Sequence, residues 1–315
     1  MLSKDNGYFR MRILVWGLLI FSLYVGWEIH ADVAVKITDA QVQIGCDSTP
    51  IVEYRYAQVP FKPYIAALFT PGGKNVLRDA APDHLHHHGL MYAVAVDQVD
   101  FWQEAVSPGR QVNRGISSLP DKTAPCLAAF VQQIDWLKPD SEEVLLKEQR
   151  TIRLLESGST TCTLLSWESA FSLPEGREKV TLSGSHYFGL GLRFAEDLEE
   201  VGNFINAADD TGELVRGDER LVRAAWCAYQ VKSDRGAVTI AGFSSPTNLR
   251  SPAIWFTMAK PFAYLSATLN LWKEPYVLNT PLVLRYGIAA WDGAVDKAEI
   301  ERVYQRWLKY GGEQK

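Results

Sequence analysis

The segments Val144–Leu155, VLLKEQRTIRLL, and Thr160–Leu173, TTCTLLSWESAFSL, decide the fold class. Both are short runs dominated by apolar, β-branched and aromatic residues, and Pro174-Glu175-Gly176 closes the second. Such runs between turn-forming residues read as strands. Working outward, the same pattern recurs at Val33–Ile44, Ile51–Tyr56, Leu90–Val96, Leu190–Phe194, Ala237–Phe243, Ala253–Met258, Tyr264–Leu271 and Leu282–Ala289. Pro71-Gly72-Gly73 and Pro246-Thr247-Asn248 punctuate the series. Many short strands and few helices imply an all-β antiparallel sandwich or barrel. For residues 32–315 a single large two-sheet sandwich is the economical architecture. One helix is expected at the C-terminus. Asp296 caps it, Glu299 follows three residues on, and Ile300, Val303, Tyr304, Trp307 and Leu308 share one face. Gly311-Gly312 is the expected stop.

The N-terminus reads differently. Lys4, Arg10 and Arg12 precede the apolar run Ile13–Trp27, and Ile29-His30-Ala31 offers a cleavage site. This is the layout of a signal peptide over residues 1–31, with an uncleaved anchor as the alternative. The expected location is exported, either periplasmic or secreted, with membrane contact only through this segment if it is kept. The chain has 32 Lys+Arg against 37 Asp+Glu, a net charge of −5, and no basic block, which argues against nucleic acid as a partner. Cys46, Cys126, Cys162 and Cys227 lack the CxxC spacing of a structural zinc site; disulfides and buried thiols both remain open. There is no Gly-x-Ser-x-Gly elbow, and Gly72-Gly73-Lys74 lacks the rest of a phosphate-binding loop.

The chain has six histidines, and four of them are His84, His86, His87 and His88. Arg78, Asp79 and Asp83 lie beside them. If this stretch is extended, His84, His86 and His88 face one way and His87 the other. Three imidazoles on one surface suit acid–base work near neutral pH, or a divalent metal with an open position. The carboxylates would orient the rings, and Arg78 would clamp an anionic group. A solvated loop is the plain alternative. A second candidate is His186-Tyr187-Phe188-Gly189-Leu190-Gly191-Leu192-Arg193-Phe194, where the glycines bare one strand face and Arg193 points into the space. A third is the loop from Ser245 to Phe256, where Asn248 and Trp255 offer an amide and a stacking face suited to carbohydrate. Core packing is the competing account of both.

Lys62-Pro63-Tyr64, Leu68-Phe69-Thr70-Pro71-Gly72-Gly73, Arg78-Asp79 through Gly89-Leu90, and Val99-Asp100-Phe101-Trp102 together resemble a bacterial family of unknown function that carries the label "methane oxygenase PmoA". Gly189–Phe194 and the Pro246-x-Asn248 loop resemble its later signatures. Three positions depart from the pattern: the family usually has Arg where this chain has His88, and often has histidines where it has Ser245 and Ser251. The resemblance implies a β-supersandwich similar to galactose mutarotases, and a fold of that kind hosts carbohydrate chemistry. It does not imply methane oxidation, since the membrane methane monooxygenase subunit is a bundle of spanning helices. The resulting expectation is a carbohydrate-processing protein of lyase, hydrolase or epimerase type acting on a small-molecule or oligosaccharide substrate. His84, His86, His87, His88, Arg78 and His186 are its expected catalytic groups, and Asp83, Arg193, Asn248 and Trp255 its expected binding groups. A non-catalytic sugar-binding module and a histidine-ligated metal enzyme are the alternatives.

Overall fold

The computed structural model describes residues 33–46, 49–59, 61–119, 126–157, 161–232 and 236–312. The expected signal segment, residues 1–31, lies outside the described residues. Residues 32–315 form one compact unit.

Two antiparallel sheets make the body. The ten-stranded sheet runs, edge to edge, Val33–Ile37, Gln41–Cys46, Thr49–Arg55, Tyr64–Leu68, Leu90–Ala93, Gly189–Arg193, Tyr264–Thr268, Ile254–Met258, Glu219–Arg223 and Glu213–Arg216. The eight-stranded sheet runs Arg110–Leu119, Ala128–Leu137, Val144–Glu156, Thr163–Ser172, Leu282–Asp292, Val238–Ser244, Trp226–Val231 and Gly202–Asn206. A short four-stranded sheet adds Tyr276–Leu278, Val180–Ser183, Ala95–Val96 and Val99–Asp100. The expected all-β sandwich with a C-terminal helix is therefore what forms.

The main core lies between the two large sheets and includes Trp102, Trp136, Trp167 and Trp255. Helix α1, Lys297–Trp307, covers the outer face of the eight-stranded sheet with Ile300, Val303, Tyr304 and Trp307 against Trp226, Phe243 and Trp291. Where α1 covers it the sheet is buried on both faces, and in Thr163–Ser172 the consecutive residues from Thr163 to Trp167 are all buried. Asp296 caps α1 by accepting the Glu299 amide at 2.8 Å. The glycines do not end the helix at once: α1 passes at Leu308 into a wider π-type turn that contains Gly312.

Several strand boundaries differ from the sequence reading. Val33–Ile44 is two strands, because the Thr38 hydroxyl accepts the Gln41 amide at 3.2 Å and closes a turn between them. Leu90–Val96 divides at Val94, and its halves join different sheets. Arg110–Leu119 gave little apolar signal because it is a half-exposed edge strand with a bulge between Asn113 and Gly115.

A charged pair, Arg150 and Glu148, sits inside the sandwich. Arg150 is fully buried and donates to Glu148 at 2.8 Å, to the Tyr54 hydroxyl at 3.1 Å and to the Pro63 carbonyl at 3.0 Å. Its guanidinium also lies 4.5 Å from the Trp167 ring centroid. The ion pair and these hydrogen bonds satisfy a charge that burial would otherwise make prohibitive.

Candidate functional site

The histidine segment is a strand, His84–His88, paired only with Asp79–Ala81 in a two-stranded hairpin. Its base is fixed to the large sheet: the Arg78 amide donates to the Arg193 carbonyl at 3.0 Å, and the Arg193 amide donates to the Gly89 carbonyl at 2.8 Å. Gly89 has φ +37°, and a Cβ there would stand 2.2 Å from the Ile65 carbonyl oxygen, so the turn into the sheet requires glycine.

The hairpin register is irregular. Ala81 faces His84 and Asp79 faces His88, so three residues of one strand oppose one of the other. This bulge breaks the expected alternation. His84 and His87 stack at 4.7 Å between centroids, and His86 sits edge-on to both, at 5.6 and 4.5 Å. Leu85 is left facing solvent. His88 turns to the other side and stacks on Tyr64 at 4.4 Å. The expected grouping of His84, His86 and His88 is thus corrected to His84, His86 and His87.

These three rings line a cleft of about 570 Å³. Tyr187, Phe256, Phe262 and Tyr264 supply its apolar walls, and Arg216, Asp218, Glu219 and Lys260 are its charged lining residues. The volume suits a small ligand. Four residues at or beneath this wall hold buried polar atoms without a protein hydrogen-bond partner: His87 Nδ1, Tyr264 Oη, Ser266 Oγ and Arg193 Nη1. Arg193 faces Tyr264 and Gly191 faces Ser266 across one strand pair, so three of these atoms belong to one face of the sheet. The bare space expected over Gly191 is filled by Tyr264, whose hydroxyl would lie 1.8 Å from a Cβ at that position.

Asp83 orients the outermost ring. Its carboxylate lies 3.0 Å from His84 Nδ1, and Arg193 Nη2 donates to it at 3.1 Å. Burial alone would raise the Asp83 pKa, but the His84 hydrogen bond and the Arg193 charge outweigh it and hold it at about 2. A carboxylate only accepts, so the His84 proton belongs on Nδ1 and Nε2 is left as an acceptor. Burial, reinforced by the Lys62 charge, lowers His86 to about 4. Burial, with the neighbouring His86, His84 and Arg193, lowers His87 to about 2. Both rings are therefore neutral at pH 7 and serve as hydrogen-bonding groups rather than proton carriers.

The other expected site residues have different places. Arg78 does not line the cleft; it is held by Glu199 at 3.2 Å and Glu196 at 3.4 Å. Arg193 is buried behind Phe262, with its guanidinium 3.7 Å from that ring centroid, and is paired to Glu199 at 2.7 Å. His186 lies outside the cleft lining but 3.3 Å from Glu219, which lines it. Asn248 is structural: it donates to the Arg285 carbonyl and accepts the Arg285 amide, each at 2.7 Å. Trp255 is a core residue whose indole donates to the Ala224 carbonyl at 2.9 Å. Among the described residues no three His, Cys, Asp or Glu side chains are arranged to hold a metal ion, and the stacked imidazoles share faces rather than a coordination point.

Lys62 and Glu104 are not among the expected site residues. Lys62 is buried and paired to Glu104, which also lies 3.1 Å from His88 Nε2. Their signal was their position, one in Lys62-Pro63-Tyr64 and the other just after Phe101-Trp102, the two motifs that flank the histidine segment.

A model of a family of unknown function, DUF6807, matches residues 41–305. The chain belongs to DUF6807. The match takes in the hairpin, the cleft and the Lys62–Glu104 pair of this DUF6807 protein. No curated protein matches it. It is similar to a solved structure described as a putative kojibiose phosphorylase from human microbiome, with 10% identity over 90% of this chain and a TM-score of 0.33. The DUF6807 chain spans 37% of that protein's length.

Proposed function

We propose that this DUF6807 chain is an exported carbohydrate-processing enzyme of lyase, hydrolase or epimerase type. The observation that carries this reading is the Asp83–His84 pair on the wall of an aromatic cleft. His84 Nε2 is the acceptor for a sugar proton, with Asp83 stabilising the imidazolium that results. Neutral His86 and His87 bind hydroxyls, and the unpartnered His87 Nδ1 and Tyr264 Oη are built for a polar ligand. Phe262, Phe256 and Tyr187 supply the ring faces that a sugar stacks on. The basic residues ahead of the apolar run 13–27 support export. The substrate is a small sugar or oligosaccharide, and nucleic acid is not a partner. Methane oxidation, the label carried by the similar family, is not proposed.

The test is product formation from a panel of oligosaccharides and sugar lactones, followed by His84→Ala on any substrate found. Loss of about 10²–10⁴-fold in kcat with the fold intact is expected. Unchanged turnover in His84→Ala sinks the catalytic role. A second reading, a sugar-binding module without chemistry, draws on the neutral state of His86 and His87. Saturable binding of an oligosaccharide with no product on long incubation would favour it.

A further inference from the structure

His88 was grouped with the catalytic candidates, but it stands outside the cleft and has a different set of partners. Its Nδ1 lies 2.7 Å from Asp79 Oδ1 and its Nε2 lies 3.1 Å from Glu104 Oε1. Both partners are carboxylates, which only accept, and a neutral imidazole has a single N–H. Both contacts are hydrogen bonds only when the ring carries two protons. Other charged and titratable groups face the ring from each packed element. Lys62 pairs with Glu104 from the segment before Tyr64–Leu68, and Arg55 donates to Asp79 at 2.7 Å from its strand. The Tyr64 hydroxyl donates to the same Asp79 carboxylate at 3.0 Å, and its ring stacks on the imidazole. His86 approaches from the histidine strand itself. Along Lys62, Glu104, His88, Asp79 and Arg55 the charges alternate in sign, and the central position is the one cation that can lose its charge near neutral pH.

We propose that His88 is a positioning residue: its imidazolium clamps the histidine strand to Asp79 and Glu104 and thereby fixes where His86 and His87 stand in the cleft. Deprotonation removes one of the two hydrogen bonds and leaves two carboxylates across an uncharged ring. The strand is then free to shift, and His87 is the next residue along it. Burial works against the charged ring, but hydrogen bonds to Asp79 and Glu104 prevail and raise its pKa above the ordinary histidine value. The clamp is therefore closed on the acid side of that midpoint and opens as the pH rises through it. The relevance to catalysis rests on the reading of the cleft given above.

The test uses the full chain labelled with ¹⁵N-histidine, with rings assigned by single substitutions. At pH 7 both His88 ring nitrogens are expected to show protonated shifts, and the His86 and His87 ring signals are expected to inflect at the His88 midpoint. In His88→Gln that inflection is expected to disappear. A neutral His88 at pH 7, or an inflection that persists without His88, overturns the proposal. Glu104→Gln guards against a misfolded first variant: the His88 midpoint should fall by about one pH unit or more, and an unmoved midpoint overturns the clamp. A purely structural His88 would give neither the inflection nor its loss. All of these readouts are taken without ligand. A failed clamp leaves the carbohydrate reading standing, and a failed carbohydrate assay leaves the clamp standing.

Discussion

His86 and His87 carry opposite consequences to His88 for stability in acid. Their folded pKa values, about 4 and about 2, lie below the 6.5 of an unfolded histidine. Between pH 6.5 and about 4 the unfolded chain binds protons that the folded chain refuses, so stability falls as the pH falls. His88, shifted upward, favours the folded state below 6.5 and loses that contribution as the pH rises through its own midpoint. His87→Asn cannot take up the proton. Its Tm between pH 7 and 4.5 should therefore decline less than that of the parent, and an equal decline would refute the assignment. At this scale the sequence was informative about chemistry and poor about direction. Four clustered histidines marked the place. Which of them share a face depended on a bulge between two short strands, and bulges leave no periodic signal. Asn248 and Trp255 fit a sugar site by residue type alone; their hydrogen bonds to the Arg285 backbone and the Ala224 carbonyl make them structural, and those partners are 37 and 31 residues away in the chain.

The strand Gly189–Arg193 shows how an element can shape a cleft without lining it. Gly191 leaves room for the Tyr264 hydroxyl, which sits at the cleft. Gly191→Ala would place a methyl group 1.8 Å from that oxygen and 2.9 Å from the Trp102 ring. We expect a loss of about 1–3 kcal/mol in urea unfolding, with Tyr264 displaced and ligand binding weakened. Unaltered stability would mean that the tyrosine has an alternative seat. The two-glycine strand, the histidine segment and α1 were each legible, because composition or period set them apart. Edge strands such as Arg110–Leu119 were not, since a strand half in water and rich in polar residues resembles a loop.

Across the whole molecule, the buried Arg150–Glu148 pair is a polar tie between the two sheets, with Arg150 reaching Tyr54 and the Pro63 carbonyl. Arg150→Met removes one charge and strands the other. A loss of about 3–5 kcal/mol is expected in denaturant titration, and a loss under about 1 kcal/mol would show that Glu148 finds other partners or a proton. Neither residue was distinguished in the sequence, where Arg150 is one polar letter in an otherwise ordinary strand. The sandwich itself was legible from its many short strands, but its order was not, because neighbours are chosen by long-range register. That order has a consequence for how the chain is made. The strand Leu282–Asp292 follows every other strand of the two large sheets in the chain, yet it occupies the middle of the eight-stranded sheet, between Thr163–Ser172 and Val238–Ser244. Until it arrives, two half-sheets wait with open edges, and the pairings that close them span more than a hundred residues for one neighbour. Closure of the eight-stranded sheet therefore waits until this strand has been made, which makes this a slow, late-closing topology that depends on protection of its nascent edges.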